Sequence, residues 1–223
     1  TSDDRTLTAR LIGRDPATDL AVVKVDGGDF PFVSFQDRGR PRVGDWVMAV
    51  GNPFNLGGTA TVGIVSALSR PNVSGSSYVD YIQIDAPINR GNSGGPTFDL
   101  YGKVIGVNTA IVTPSGANAG VGFAIPADVA SKITSQLMKG VKIERGYIGV
   151  AAQTIPVPRR HASAHDIANR FGAMLTAVDQ HGPASDAGLL SHDLVVRLDS
   201  EPVTGVDDLL RLLDRNRIGK RIN

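Results

Sequence analysis

Cysteine is absent from the 223-residue chain. That excludes disulfide frameworks, thiolate zinc sites and cysteine nucleophiles. It is compatible with an oxidising compartment without proving one. Aromatic residues are scarce, with Phe 7, Tyr 4 and Trp 1 against Gly 26. The interior must therefore be built from aliphatic and small residues set among many turns. Neither charge sign dominates: 23 Lys and Arg face 22 Asp and Glu, and the two signs balance in each half. No basic platform exists for nucleic acid or an anionic membrane surface. No apolar run is long enough for a membrane-spanning helix. No signal peptide opens the chain, and both ends read as cut. Histidine is confined to the last third, at His161, His165, His181 and His192.

What is present is a 41% apolar chain, enough to bury a core. The first 125 residues read as short strands separated by turn residues: 5–12, 20–25, 45–50, 59–68, 78–84, 103–112 and 121–125. Such a series points to a barrel or sandwich. At Pro126 the period changes. Val129, Ile133 and Leu137 recur every four residues, which predicts a helix with one buried face, opened by Pro126 and closed by Gly140. A domain boundary is expected near Gly140, with residues 141–145 as a charged linker. The remainder reads as a small α+β module. Strands are expected at 147–153, 172–178 and 193–198, irregular to helical chain at 155–170, and a helix carrying Val206, Leu209, Leu210 and Leu213.

Gly91-Asn92-Ser93-Gly94-Gly95-Pro96 is the sharpest chemical signal. Glycines on both sides of one serine give a tight, unobstructed turn that can expose the hydroxyl. The same turn can point successive backbone N–H groups into one concavity, where an oxyanion could sit. Alone, the hexapeptide also fits an ordinary surface turn. Asp19 sits where a turn enters the apolar run 20–25. A carboxylate there can be half-buried and aimed inward, where a histidine Nδ1–H is a suitable partner. Alone, Asp19 also fits a turn cap. Asp before Ser inside an all-β region is the chain order of a His, Asp, Ser triad on a chymotrypsin-like fold.

Residues 15–25 (Asp-Pro-Ala-Thr-Asp-Leu-Ala-Val-Val-Lys-Val) resemble the catalytic-aspartate strand of the HtrA/Deg serine proteases, the DegP-like family. So do 78–96, ending in Asn-Arg-Gly-Asn-Ser-Gly-Gly-Pro, and 121–126, Val-Gly-Phe-Ala-Ile-Pro. The resemblance implies a mainly β chain: a chymotrypsin-like double β-barrel over 1–140 whose first barrel is incomplete, then a small PDZ domain over 146–223 lacking its closing strand. It implies Ser93 as nucleophile and Asp19 as triad aspartate. The amides of Gly91 and Ser93, with Asn92 between them, are implied as the oxyanion hole. Val121, Gly122, Phe123 and Ala124 are implied to line the primary specificity pocket, which favours a small or medium apolar side chain. Loops 86–90 and 112–120 match those that switch the family between active and inactive shapes.

The resemblance further implies a periplasmic homotrimer or larger assembly that degrades unfolded polypeptides and needs no cofactor. Arg145-Gly146-Tyr147-Ile148-Gly149-Val150 resembles the loop with which the family's PDZ domains capture a peptide carboxyl terminus. Residues Tyr147, Ile148, Gly149 and Val150 are assigned to that capture. Taken alone, it also fits a glycine-flanked strand. The turn at 182–189 recurs in such modules. The chain departs from the family in one respect: no histidine precedes Asp19. Ser93 then has no neighbour able to take its proton, and the chain alone is expected to be nearly inactive. The rival reading is a non-catalytic peptide holder. His161 and His165 share a helical face at a metal-binding spacing, but the residues between them supply no general-base Glu. No metal site is expected.

Overall fold

A computed structural model describes residues 5–35, 41–53, 57–70, 73, 78–113, 118–165 and 167–223. The chain divides into two units, residues 1–143 and 144–223. The division lies inside the charged stretch 141–145.

Unit 1 opens with an antiparallel ribbon of β1 (Ala9–Asp15) and β2 (Leu20–Val25). The connection is a tight turn in which the Thr18 hydroxyl donates to Asp15 Oδ2 at 2.8 Å, both residues being buried. Six strands follow: β3 (Trp46–Gly51), β4 (Thr59–Arg70), β5 (Tyr81–Ile84), β6 (Pro96–Asp99), β7 (Val104–Ile111) and β8 (Gly122–Pro126). They close into one barrel in the order β3-β4-β5-β8-β7-β6. The chain is mainly β, and among the described residues it contains one closed barrel and a two-stranded ribbon in place of a second. β6 has no counterpart in the sequence reading, because Pro96 and the glycines before it extend the turn signal over a strand of only four residues.

The barrel interior is packed with Val47, Ala49, Val65, Ile82, Ile84, Ala86 and Ile88. A second cluster lies on the barrel's flank, where Leu20, Val79, Tyr81, Phe123 and Ile125 meet the helix α1 (Ala127–Met138). β5 serves both clusters, Tyr81 in the flank cluster and Ile82 and Ile84 in the barrel interior, with the partly buried Gln83 between them accepting from Arg70 Nε at 2.9 Å. Helix α1 buries Ala130, Ile133 and Leu137. Its buried stripe is centred one residue past Val129, which is only partly covered. Pro126 stands at the N-cap rather than inside the helix. Truncating Leu137 to alanine is expected to cost about 2–5 kcal/mol, the usual range for a buried leucine.

In unit 2, β9 (Val150–Pro156), β10 (Phe171–Val178) and β11 (Leu194–Val195) form a three-stranded antiparallel sheet, ordered β11-β10-β9. A small hairpin pairs β12 (Arg197–Leu198) with β13 (Glu201–Pro202). The strand expected over 193–198 is thus two short ones, each with its own partner. The helices are α2 (Arg159–His165), α3 (Pro183–Asp186) and α4 (Val206–Leu212). The core gathers Ala173, Leu198, Val203, Leu209, Leu212 and Leu213. Thr154 on β9 fixes α4: its hydroxyl accepts from the Val206 N–H at 3.0 Å, serving as the cap that Gly205 has no side chain to provide.

Candidate active site

The serine turn is pinned from behind by backbone. Asn92 N–H donates to Asn89 O and Gly95 N–H to Asn92 O, each at 3.0 Å, which closes two consecutive turns. Asn52 N–H donates to Gly91 O at 3.0 Å and ties the turn to the end of β3. Gly91 has φ +103°, a left-handed conformation that disfavours any side chain. A Cβ there would also run into the carbonyl of Asn52. Glycine is required at this position on both counts.

The two flanking amides are differently placed from the middle one. Among the described residues, the N–H groups of Gly91 and Ser93 meet no acceptor, so both remain free to bind an oxyanion. Asn92 does not share that role. Its N–H is spent on Asn89, and its side chain is 2% exposed, with Nδ2 donating to Pro87 O at 3.4 Å. Asn92 Oδ1 is buried with no hydrogen-bond partner among the described residues. It lies against the Cα of Gly51, where a Cβ would collide with it. Asn92 thus supports the turn from inside.

Ser93 is exposed and its Oγ donates to the carbonyl of Thr109 at 2.9 Å. The Thr109 hydroxyl in turn donates to Asp19 Oδ2 at 2.8 Å. One residue therefore touches both Ser93 and Asp19, from opposite ends of its own structure. Sequence reasoning missed Thr109, since nothing in residues 103–112 singles it out locally. The β7–β8 register shifts between Asn108 and Ala110, which leaves Thr109 outside the ladder. A bulge of this kind frees a residue's polar groups to face a site. Asp19 itself adopts φ +58°, a conformation that Asp tolerates better than most residues. It is exposed rather than half-buried, and among the described residues its Oδ1 has no partner.

The residues assigned to the specificity pocket separate by strand alternation. The Phe123 ring is 4% exposed and packs edge-to-face on Tyr81, with centroids 6.4 Å apart. It is core, not pocket, because odd positions of β8 face the flank cluster. Ala124 is fully buried. Gly122 lies against the Ile88 side chain. Val121 is partly buried, and its carbonyl accepts from Val112 N–H at 3.2 Å. Ile88 of loop 86–90 thus backs Gly122, while the exposed Val112 of loop 112–120 meets Val121 through the backbone alone. Loops 86–90 and 112–120 are linked by Asn118, whose Nδ2 donates to Ile88 O at 3.0 Å. Residues 114–117 of the second loop lie outside the described residues.

In unit 2, the loop before β9 repeats the arrangement of unspent amides on an anchored backbone, although Gly149 is buried. Ala184 N–H donates to Ile148 O and Asp179 N–H to Gly149 O, each at 2.8 Å. Among the described residues, the N–H groups of Tyr147, Ile148 and Gly149 meet no acceptor. Gly149 has φ +79° and its Cα packs on that of Gly182, leaving no space for a side chain. Val150 pairs with Val178 and flanks the core. The Tyr147 hydroxyl donates to Asp179 Oδ2 at 2.8 Å. The Asp179 carboxyl is held below its ordinary value by the His181 N–H and then by the Tyr147 hydroxyl, and the Tyr147 phenol is pushed up by the same bond to Asp179. Among the described residues no cluster of side chains suits a metal ion.

A model of the trypsin-like peptidase domain family matches residues 1–107. The chain is 47% identical over 219 residues to a probable periplasmic serine endoprotease, DegP-like, of Rhizobium meliloti (strain 1021), covering 98% of this chain and 43% of that protein. It is 49% identical over 212 residues to a protein of the same description from Brucella suis biovar 1 (strain 1330), covering 94% of this chain and 41% of that one. The chain thus spans less than half the length of these curated relatives. Among solved structures it superposes on the HtrA-type protease AlgW with tripeptide, with a TM-score of 0.79 and 37% identity over 93% of this chain and 68% of that one. This sequence identity, together with the linked Ser93, Thr109 and Asp19, shows that the chain belongs to the HtrA family of trypsin-like, DegP-like serine proteases.

Proposed function

We propose that this chain carries the nucleophile, the triad acid and the oxyanion hole of a periplasmic serine endopeptidase that degrades unfolded or damaged polypeptides. The observation that supports it best is the Ser93–Thr109–Asp19 chain of hydrogen bonds. Ser93 Oγ attacks the peptide carbonyl carbon. An imidazole takes the Oγ proton and delivers it to the departing amine, and water then cleaves the acyl-enzyme by the reverse proton route. The free Asp19 Oδ1 is where the imidazole Nδ1–H is held. The Gly91 and Ser93 amides stabilise the oxyanion. Residues 1–143 contain no histidine, so the imidazole comes from outside that stretch, and residues 1–223 by themselves are nearly inactive. Val121 and Gly122, with the Ile88 side chain against Gly122, favour a small or medium apolar side chain before the scissile bond.

Unit 2 acts in this reading as a PDZ module. The free amides at 147–149 take a peptide's terminal carboxylate, and the edge of β9 pairs with its backbone. Helix α4, held to β9 through Thr154, forms the other wall. The tripeptide named in the AlgW structure is in keeping with peptide capture by this family. Assembly into a homotrimer has support in an exposed apolar patch on the barrel: Trp46 and Met48 on β3 and Val62 paired with Met48, bordered by the partly buried Phe98.

The test uses the full-length protein. A serine-directed fluorophosphonate labels Ser93, casein is degraded, and Ser93→Ala abolishes both. Casein degradation that survives Ser93→Ala overturns the reading. The lack of histidine in unit 1 favours a second reading, a peptide holder without catalysis. That reading predicts no fluorophosphonate adduct together with intact binding of a free-acid peptide.

A further inference from the structure

Directly beneath the serine turn lies a buried polar side chain that the hydrolytic steps do not use. Asn108 on β7 is 1% exposed, and its neighbour Thr97 on β6 is fully buried. Buried polar groups persist where their hydrogen bonds are met, and here they are met completely. Asn108 Oδ1 accepts from the Thr97 hydroxyl at 2.5 Å. Nδ2 donates to Val50 O at 3.2 Å and to Pro96 O at 3.4 Å. The backbone of the same residue grips the turn on both sides: its carbonyl accepts from Gly94 N–H and its N–H donates to Gly95 O, each at 2.8 Å. The next residue is Thr109, the bridge between Ser93 and Asp19.

We propose that Asn108 is a positioning residue for hydrolysis, whose buried carboxamide sets the Ser93 hydroxyl and the adjoining oxyanion amides in register with Asp19. This rests on the endopeptidase reading above. The residue joins three pieces of chain that must agree for the site to exist. Val50 leads into the end of β3, which holds Gly91 through Asn52. Gly94 and Gly95 follow the nucleophile. The bulge at Thr109 presents the carbonyl and the hydroxyl that reach Ser93 and Asp19.

An amide suits this place because it donates twice and accepts once from a single planar group. A carboxylate of the same shape would accept from Thr97 but could not donate to Val50 O or Pro96 O. An aliphatic side chain would take the acceptor from the buried Thr97 hydroxyl and the Nδ2 donor from the Val50 and Pro96 carbonyls. Thr97 has its own part, since its donated hydrogen bond selects which end of the carboxamide faces which partner.

The experiment uses the full-length protein and two readouts, kcat and KM on an unstructured peptide substrate, and the rate of fluorophosphonate labelling at Ser93. Wild-type labelling, lost in Ser93→Ala, first establishes the endopeptidase reading; its failure overturns that reading and the proposal with it, at a step separate from the Asn108 variants. With labelling established, Asn108→Asp is expected to lower kcat by about thirtyfold or more, to slow labelling in parallel, and to leave KM within about twofold. A folded Asn108→Asp variant with wild-type kcat and labelling rate overturns the proposal. So does a loss confined to KM. Thr97→Val keeps shape and packing while deleting the orienting hydrogen bond. It is expected to lower kcat and labelling by about three- to tenfold, with Thr97→Ser restoring both. Equal rates in these two variants overturn the proposal even where Asn108→Asp fails to fold.

Discussion

The serine turn of unit 1 and the glycine loop of unit 2 solve one problem in two ways. Each leaves backbone N–H groups without an acceptor among the described residues while neighbouring carbonyls are tied to other backbone. Each depends on a glycine with positive φ pressed against another backbone, Gly91 on Asn52 and Gly149 on Gly182. The supports differ. Behind the serine turn stand buried polar side chains, Asn92, Thr97 and Asn108, inside a closed barrel. The unit 2 loop leans on an exposed pair, Tyr147 and Asp179. A covalent step needs a nucleophile and an oxyanion held in tight register. Capture of a flexible chain end tolerates a looser cradle, and a solvent-exposed support supplies one.

The sharpest way to break the comparison is to remove the chemistry from one side alone. Ser93→Ala in the full-length protein is expected to cut casein degradation by about 10⁴-fold or more. Binding of a free-acid peptide, measured calorimetrically, should be unchanged. A matching loss of peptide affinity would show that the two loops are not separate devices.

Next comes Gly91→Ala. The added methyl meets Asn52 O in a backbone conformation alanine resists, so a loss of at least about 2 kcal/mol of stability is expected by denaturant titration. Displacing the Gly91 amide should lower kcat by about 10²- to 10³-fold, the usual cost of one oxyanion donor. In unit 2, Gly149→Ala should weaken free-acid peptide binding by about tenfold while kcat on an unstructured substrate stays at the wild-type level. A loss of kcat there would blur the distinction.

The smallest effect concerns the exposed support. Tyr147→Phe deletes the hydroxyl that donates to Asp179 and is expected to weaken peptide binding by about two- to threefold. Because the folded Asp179 carboxyl lies below its ordinary value of 3.8, its stabilising contribution is complete above that pH and is lost as acid carries it through the lower folded value. Peptide affinity should therefore be level from neutral pH down to about 5 and fall only below about 4. A fall that begins near pH 6 would assign the titration to another group.

Local sequence already displayed much of this. Short apolar and β-branched runs between turn residues marked β2, β3, β4 and β7, and the four-residue recurrence after Pro126 marked α1. The Gly-Asn-Ser-Gly-Gly turn and the entry into residues 20–25 named Ser93 and Asp19 as chemistry-bearing. β6 stayed hidden because Pro96 and its glycines speak of a turn, while its strand character comes from pairing with β3 and β7. That Phe123 turns toward Tyr81 and that the Asn92 N–H bonds Asn89 O stayed hidden because a motif gives the residue without its face or its partners.

The amino-acid sequence by itself determined that a serine would stand on a glycine-cradled turn, that a carboxylate would precede it at the entry to a strand, and that residues 1–143 hold no histidine. Those are matters of residue type and short-range order. Only the tertiary structure decided that Thr109 joins the two, that Asn108 bonds the turn from beneath, and that Ile88 lies against Gly122. These contacts arise from a barrel closing and a strand bulging by one residue. Both are products of long-range pairing, and no local window of sequence contains the partners.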